Sequence, residues 1–247
     1  MNVVAVRTQK VTTKDTDLKT LLDTYVPEIK ERSVIAVTSK IVALCEGRVA
    51  EIGTIEKDEL IEKESEYYIP SEENQYGVSI TIKNNIVIAS AGIDESNANG
   101  KYVLWPENPQ ESANQIREYL AKSRGLREIG VIITDSRLSP LRWGVTGVGI
   151  AHSGFEAVND MRGKPDIFGR PLHVTKVNIL DGLAAASVYV MGESNEQTPL
   201  ALVTEIPHIR FQDHNPSEDE LAMLKITMEE DIFSGILKNV TWRRGKK

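Results

Sequence analysis

Residues 129–154, IGVIITDSRLSPLRWGVTGVGIAHSG, decide how this chain is read. They open on an apolar, β-branched run, 129–133, of strand length. Asp135 and Ser136 follow where that run stops. A turn-rich, cationic segment with Pro140, Arg142 and Gly144 comes next, and then a second run, 145–151, threaded by Gly147 and Gly149. The pattern predicts strand, polar loop, strand. A carboxylate and a hydroxyl at the tip of a buried strand sit on a stiff scaffold, a common place for chemistry. The same pair also serves turns, because both side chains bond local backbone.

Outward from that stretch, apolar runs again lead into polar tips. The buried-strand candidate 33–37 runs into Thr38-Ser39-Lys40. The runs 78–82 and 86–90 flank Lys83-Asn84-Asn85 and predict a hairpin, since Asn tolerates positive φ. The second of them leads into Asp94 and Asn97. Residues 2–6 form a further strand, and 199–203 another. A helix capped by Thr16 or Asp15 buries Leu18, Leu21 and Leu22, and Pro27 limits it. Residues 57–65 predict a polar helix. Asn108-Pro109-Gln110-Glu111 starts a helix that buries Ala113, Ile116 and Leu120 and stops near Gly125. Residues 164–171 read as a turn and 172–178 as a strand. Residues 181–191 form a helix of small residues suited to close packing, Gly192 closes it, and 193–198 are a polar loop. Ser217 to Glu220 is a capping box for a C-terminal helix with Leu221, Leu224 and Met228 on its apolar face. The basic end, with Arg243, Arg244 and Lys246, predicts a frayed tail. The acidic stretches 56–66 and 218–231 predict solvated helix faces.

The bulk numbers narrow the partners. At 247 residues the chain can bury a proper core. A net charge of −7 disfavours nucleic acid, whose phosphates need a basic face. A single cysteine, Cys45, permits no internal disulfide. No apolar run approaches the ~20 residues of a membrane span, and the N-terminal residues lack a charged segment followed by an apolar one. The expectation is a cytoplasmic protein with no membrane partner.

Much familiar chemistry is missing. There is no GxxxxGK[ST] loop, no GxGxxG turn and no GxSxG elbow. No Cys or His cluster has zinc spacing, and His152, His173, His208 and His214 read as structural or surface residues. What remains are hard oxygen donors in or beside loops: Asp94, Asp135, Ser136 and Glu193. Such groups suit Mg²⁺ or Mn²⁺, which normally carry phosphate oxygens. Lys40, Asn97, Arg142 and Arg170 supply donors for phosphate or carboxylate. The residues alone leave open whether these carboxylates bind metal and nucleotide or serve turns.

At this point a resemblance enters. SAGIDESN at 90–97, IITDS at 132–136, DIFGR at 166–170 with Val174-Thr175, and Met191-Gly-Glu193 are similar, in order and spacing, to the coenzyme F420-0:L-glutamate ligase family. Thr38-Ser39-Lys40 with Glu46-Gly47-Arg48 resembles that family's N-terminal nucleotide segment. The resemblance implies an α+β fold, with mixed β-sheets and flanking helices, in an intertwined homodimer. Residues 1–210 would form the ligase domain, with 211–247 a C-terminal helix and basic tail packed on it. The resemblance further implies a ligase that joins L-glutamate to a carboxylate of a phosphorylated deazaflavin, using GTP and Mg²⁺ or Mn²⁺. Carried across, Asp94, Asp135, Ser136 and Glu193 would hold metal. Ser39, Lys40, Asn97, Glu193 and Ser194 would contact the nucleotide, helped by 9–12 and 193–198. Asp135, Arg142 and Arg170 would serve the reaction. Three positions depart from the pattern. Leu44 replaces a lysine usual before Glu-Gly-Arg, Leu138 and Ser139 replace Gly and Arg after Asp135, and Gly182 replaces a glutamate after Asp181. The changed loop makes a pterin of the folate type a second candidate acceptor, and a non-catalytic metal or nucleotide binder the competing reading.

Overall fold

The computed structural model describes residues 1–14, 17–26 and 28–246. In chain order the elements are β1 (Asn2–Val6), α1 (Leu18–Tyr25), β2 (Ser33–Thr38), α2 (Ser39–Glu46), β3 (Val49–Glu51), α3 (Lys57–Glu64), β4 (Tyr67–Ile69), β5 (Ile80–Lys83) and β6 (Ile86–Ala89). They continue with β7 (Lys101–Val103), α4 (Pro109–Arg124), β8 (Ile129–Leu138), β9 (Val145–Ser153), β10 (Val158–Asp160), β11 (Lys176–Asn178), α5 (Ile179–Met191), β12 (Leu200–Thr204), α6 (Glu218–Ala222), α7 (Ser234–Leu237) and β13 (Arg243–Arg244). The architecture is mixed α+β, as the family resemblance implies.

The main sheet runs β1-β12-β2-β8-β9. β2 and β8 are parallel and the other pairs antiparallel. The continuous apolar run Val34-Ile-Ala-Val37 is fully buried because both faces of the sheet are covered. Ile35, Val37, Val131 and Ile133 face a cluster completed by α1, α2 and α4. Val34 and Ile132 face the other side with Leu180, Leu183 and Ala184 of α5. Each buried Val or Ile contributes about 1.5–3 kcal/mol, so the central strands anchor the fold.

Glycines let α5 lie close on the sheet. A Cβ at Gly147 would stand 2.4 Å from the carbonyl oxygen of Ala184, and one at Gly149 would stand 2.4 Å from Leu180 Cδ1. Asp181 ties the helix down further, accepting from the Gly149 N–H at 3.1 Å and pairing with Arg137 at 3.2 Å.

A smaller sheet, β13-β4-β5-β6, is joined to α3 by Tyr68 and Lys83, which pair with Glu62 and Glu64. Its β5–β6 hairpin turns through Asn84 and Asn85, both at positive φ, as predicted. The helix predicted from Asn108 is α4, and the Asn108 side chain accepts from the Glu111 N–H at 3.2 Å.

Several expectations are corrected. The strand from 129 does not stop before Asp135. After a bulge at 133/134 it continues through Leu138, because β9 pairs with it along that whole length. The cap of α1 is Asp17; Asp15, Thr16 and Pro27 lie outside the described residues. The strand predicted at 172–178 shrinks to Lys176–Asn178, since only β10 is there to pair with it. The capping box at Ser217 forms, but its helix ends at Ala222, well short of Met228. The basic tail does not fray as far as Lys246: Arg243 and Arg244 pair with β4, and the Lys246 N–H bonds Glu62, while Lys247, the last residue of the predicted tail, lies outside the described residues. In the acidic stretch at 56–66, Glu64 turns inward to pair with both Arg48 and Lys83.

Candidate active site

A cleft of about 440 Å³ opens at the C-terminal ends of β2 and of the buried part of β8, in the size range of small-ligand sites. Five segments converge on it. β2 delivers Thr38 and then Ser39 and Lys40, the first residues of α2. Ile41 to Leu44 are buried, which holds the N-terminus of α2 in place. Thr38 makes no side-chain cap bond there, so the leading N–H groups of α2 are left for another acceptor.

Asp94 reaches the cleft from a strained turn. Ser90, Ala91 and Gly92 all take positive φ (50°, 54° and 72°), and Asn97 and Asn99 do so further on. Strain of this kind collects at functional sites. The Lys40 ammonium lies 2.5 Å from Asp94 and also donates to the Ser96 carbonyl at 2.8 Å. The Asn97 amide donates to the Ser194 carbonyl at 2.8 Å, tying the Asp94 turn to the loop after α5.

Asp135 and Ser136 come from β8 beyond its bulge, so they stand on a paired strand and not in a loop. One Asp135 oxygen accepts from the Ser136 N–H at 2.8 Å and the other from the indole N–H of Trp105. Glu193 follows Gly192, where α5 ends. The 193–198 loop is braced by the Thr8 N–H donating to the Gln197 carbonyl at 2.9 Å, and by Ser194 N–H donating to Glu196 at 2.8 Å.

The carboxylates push against one another. Burial lifts Asp135 to about 6, against the lowering by Trp105 and Ser136, and Asp94 adds to the rise. Burial also raises Glu193, with Lys40 opposing and Asp94 reinforcing. For Asp94 burial acts upward too, but Lys40 and Ser96 outweigh it and the net shift is down. Two ammonium groups, of Lys10 and Lys40, thus share a cleft with four carboxylates, of Asp94, Asp135, Glu193 and Glu196, and a divalent cation would relieve the excess negative charge. The donor chemistry, hard oxygens and a hydroxyl, fits Mg²⁺ or Mn²⁺. Among the described residues, no three acidic, His or Cys side chains already stand together in ligating geometry.

The structure brings Ser39, Lys40, Asp94, Asn97, Asp135, Ser136, Glu193 and Ser194 to this one cleft, along with 9–11 and Leu44. It does not bring Arg142 or Arg170, which are exposed and line no part of it. Sequence reasoning missed Trp105, Thr8, Asn99 and Thr134, while Glu196 lies in the 193–198 loop that it did name. Trp105 is fully buried, and a lone tryptophan in VLWPEN carries no signal of that contact. His152 is buried against Phe155, far down to about 4 because burial disfavours its charge, and lines no part of the cleft. This agrees with its reading as structural.

Fold and site together describe a mixed α+β protein whose main sheet gathers a helix terminus without a side-chain cap and several carboxylates at one end. The chain belongs to the F420-0:gamma-glutamyl ligase family, whose profile matches residues 5–205. Relatives named coenzyme F420:L-glutamate ligase include one from Methanococcus maripaludis (strain C7), 41% identical over 151 residues, which cover 61% of this chain and 58% of that protein. Another, from Methanopyrus kandleri, is 35% identical over 193 residues (71% and 75%), and one from Halorubrum lacusprofundi is 33% identical over 228 residues (82% and 85%). The chain thus spans less than two thirds of the length of the Methanococcus relative. No helix among the described residues is long and apolar enough to cross a membrane.

Proposed function

We propose that this chain is a GTP- and divalent-metal-dependent γ-glutamyl ligase that adds L-glutamate to a cofactor carboxylate. The acceptor is coenzyme F420-0, the deazaflavin that the family description names, or a pterin of the folate type. The observation that carries the reading is the meeting of Asp94, Asp135, Ser136 and Glu193 with Lys40 and the N-terminus of α2 in one cleft.

The residues divide the work as follows. The free N–H groups of α2 and the Lys40 ammonium hold phosphate oxygens. Asn97, Ser194 and the 193–198 loop frame the nucleotide. Asp94, Asp135, Ser136 and Glu193 hold Mg²⁺ or Mn²⁺, which supplies charge neutralisation for a triphosphate. An acceptor carboxylate oxygen attacks the γ-phosphorus, GDP leaves, and an acyl phosphate forms. The amine of glutamate then attacks the acyl carbon, phosphate leaves, and a proton is lost from nitrogen. Positioning and electrostatics suffice for both steps, so no side-chain nucleophile is required.

A homodimer belongs to the proposal. Leu141, Trp143, Ile167, Phe168 and Val174 are all more than four-fifths exposed. So much apolar surface in the 139–144 and 164–175 loops suits a covered interface. The same loops carry Arg142 and Arg170, and pairing would move them out of open solvent toward an acceptor. The competing reading, a non-catalytic nucleotide binder, draws on Leu44, which lines the cleft where a lysine would meet phosphate.

Incubation of the purified chain with GTP, Mn²⁺, glutamate and each acceptor, followed by mass spectrometry, tests the reading. Release of GDP with one acceptor lengthened by a glutamyl residue is expected. Nucleotide binding without product, under conditions where a family ligase turns over, would favour the binder. Light scattering on the same sample reports the dimer.

A further inference from the structure

Trp105 stands behind the cleft and touches both carboxylate-bearing segments. Its indole N–H donates to Asp135. Its ring lies against Gly92, two residues before Asp94, so closely that a Cβ at 92 would fall 2.1 Å from Nε1 and 2.5 Å from Cε2. Gly92 ends the run of three residues at positive φ that aims Asp94 at the cleft. The tryptophan is itself held on several sides. It is fully buried. Arg48 Nε donates to its carbonyl at 3.2 Å, and the Lys83 ammonium lies 5.2 Å from the ring centroid. Glu64 fixes both of those cations, at 2.8 Å from Arg48 and 2.7 Å from Lys83.

We infer that Trp105 is a positioning residue: one indole sets the orientation of Asp135 and, through its contact with Gly92, the spacing between Asp135 and the Asp94 turn. It touches neither nucleotide nor acceptor and acts only through the two carboxylates. The inference rests on the reading of Asp94 and Asp135 as metal ligands. Groups that orient ligands in this way are worth about 10–100-fold in metal affinity. Trp105→Phe keeps an aromatic ring in the pocket but removes the N–H, which leaves Asp135 held by the Ser136 N–H without the indole.

The test is Mn²⁺ binding to the full chain in the presence of GTP, followed by electron paramagnetic resonance of free Mn²⁺. Wild type should bind, and W105F should bind about 10-fold or more weakly while its melting temperature stays close to wild type. Equal Mn²⁺ affinity in W105F and wild type overturns the role of Trp105 and leaves the metal site standing. No Mn²⁺ binding by wild type overturns both. A measurement on unmodified protein guards against a variant that does not fold. The chain has three tryptophans, so three indole N–H signals are resolved in a ¹⁵N spectrum. Titration with diamagnetic Mg²⁺ and GTP should shift the Trp105 indole signal as Asp135 engages the cation, while that of exposed Trp143 stays put. A stationary Trp105 signal at saturating Mg²⁺ overturns the inference.

Discussion

Replacing Asp135 by asparagine should stabilise the metal-free protein while it removes a proposed metal ligand from the cleft. Burial lifts this carboxyl from 3.8 to about 6, so at pH 7.5 the folded chain carries a charge where it favours a neutral group. The cost is about 3 kcal/mol, at about 1.36 kcal/mol per pH unit of displacement. The folded carboxyl keeps its proton between roughly pH 4 and 6, where the unfolded one has lost it. This group's contribution to stability is therefore complete below about pH 4 and is lost as the pH rises through about 6. Asparagine stays neutral throughout, so the gap between variant and wild type should be small at low pH and widest above about pH 7. An asparagine offers one acceptor oxygen to two donors, Trp105 and the Ser136 N–H, and a lost hydrogen bond takes back about 1 kcal/mol. The net gain at pH 7.5 is then about 2 kcal/mol, or roughly 4–8 °C in melting temperature for a chain of this size. Thermal melts with a chelator at pH 5, 6 and 7.5 measure it. An asparagine variant no more stable than wild type at pH 7.5, or a gap independent of pH, would refute the reasoning.

Three further outcomes follow from the same geometry. His152, held near 4 by burial, must charge on unfolding, so folded protein should lose stability as pH falls from about 6.5 toward 4; His152→Phe should flatten that acid limb in denaturant titrations, by up to about 3 kcal/mol. Gly147→Ala forces the backbone of α5 back by about 1 Å from its contact at 2.4 Å; a loss of about 1–3 kcal/mol in chemical unfolding is expected, with weaker Mn²⁺ binding because α5 leads into Glu193. Lys40→Met removes the ammonium facing Asp94 and should weaken GTP binding by calorimetry about 10-fold or more while leaving the melting temperature within a few degrees.

The legible parts of this fold are those whose signal is local. The buried run in β2 announces a strand covered on both faces, the Asn84-Asn85 turn announces its hairpin, and Asn108-Pro109 announces α4, because cap, turn and periodicity are all written within a few residues. The strand through Asp135 was cut short for the opposite reason. Its polar half, Asp135 to Leu138, is strand only because β9 lies beside it in the right register, and pairing across a loop is not written in either half alone. The tail shows the same blindness: Arg243 and Arg244 look solvent-bound until the edge of β4 takes them. Gathering the cleft residues from 39 to 194 depended on the family motifs, since nothing local in SAGIDESN or MGE points at the other. Trp105 was invisible on both counts, being neither part of a motif nor distinguishable from an ordinary core aromatic.

The cleft concentrates what the rest of the molecule avoids. Three successive positive φ angles precede Asp94, Asp135 is ionised against its surroundings at neutral pH, and Glu193 is raised beside them. Each departure costs folding free energy, and the buried central strands offset it. Binding of the proposed cation and nucleotide to the folded chain alone would return such costs, since such binding adds to stability by mass action. The supports also differ in stiffness. Asp135 stands on a strand that β9 pairs along 131–138 and β2 pairs as far as Thr134, whereas Asp94 is held by an isolated bridge to Val103 and Glu193 stands on a turn that Asn97 ties to the Asp94 segment. Closure around a bound ion should therefore move Asp94, Lys40 and Glu193 toward Asp135, not the reverse. Among the described residues no ligating cluster stands assembled, and the indole in contact with both Asp135 and Gly92 lies between the strand and the Asp94 segment, where it would limit such a motion.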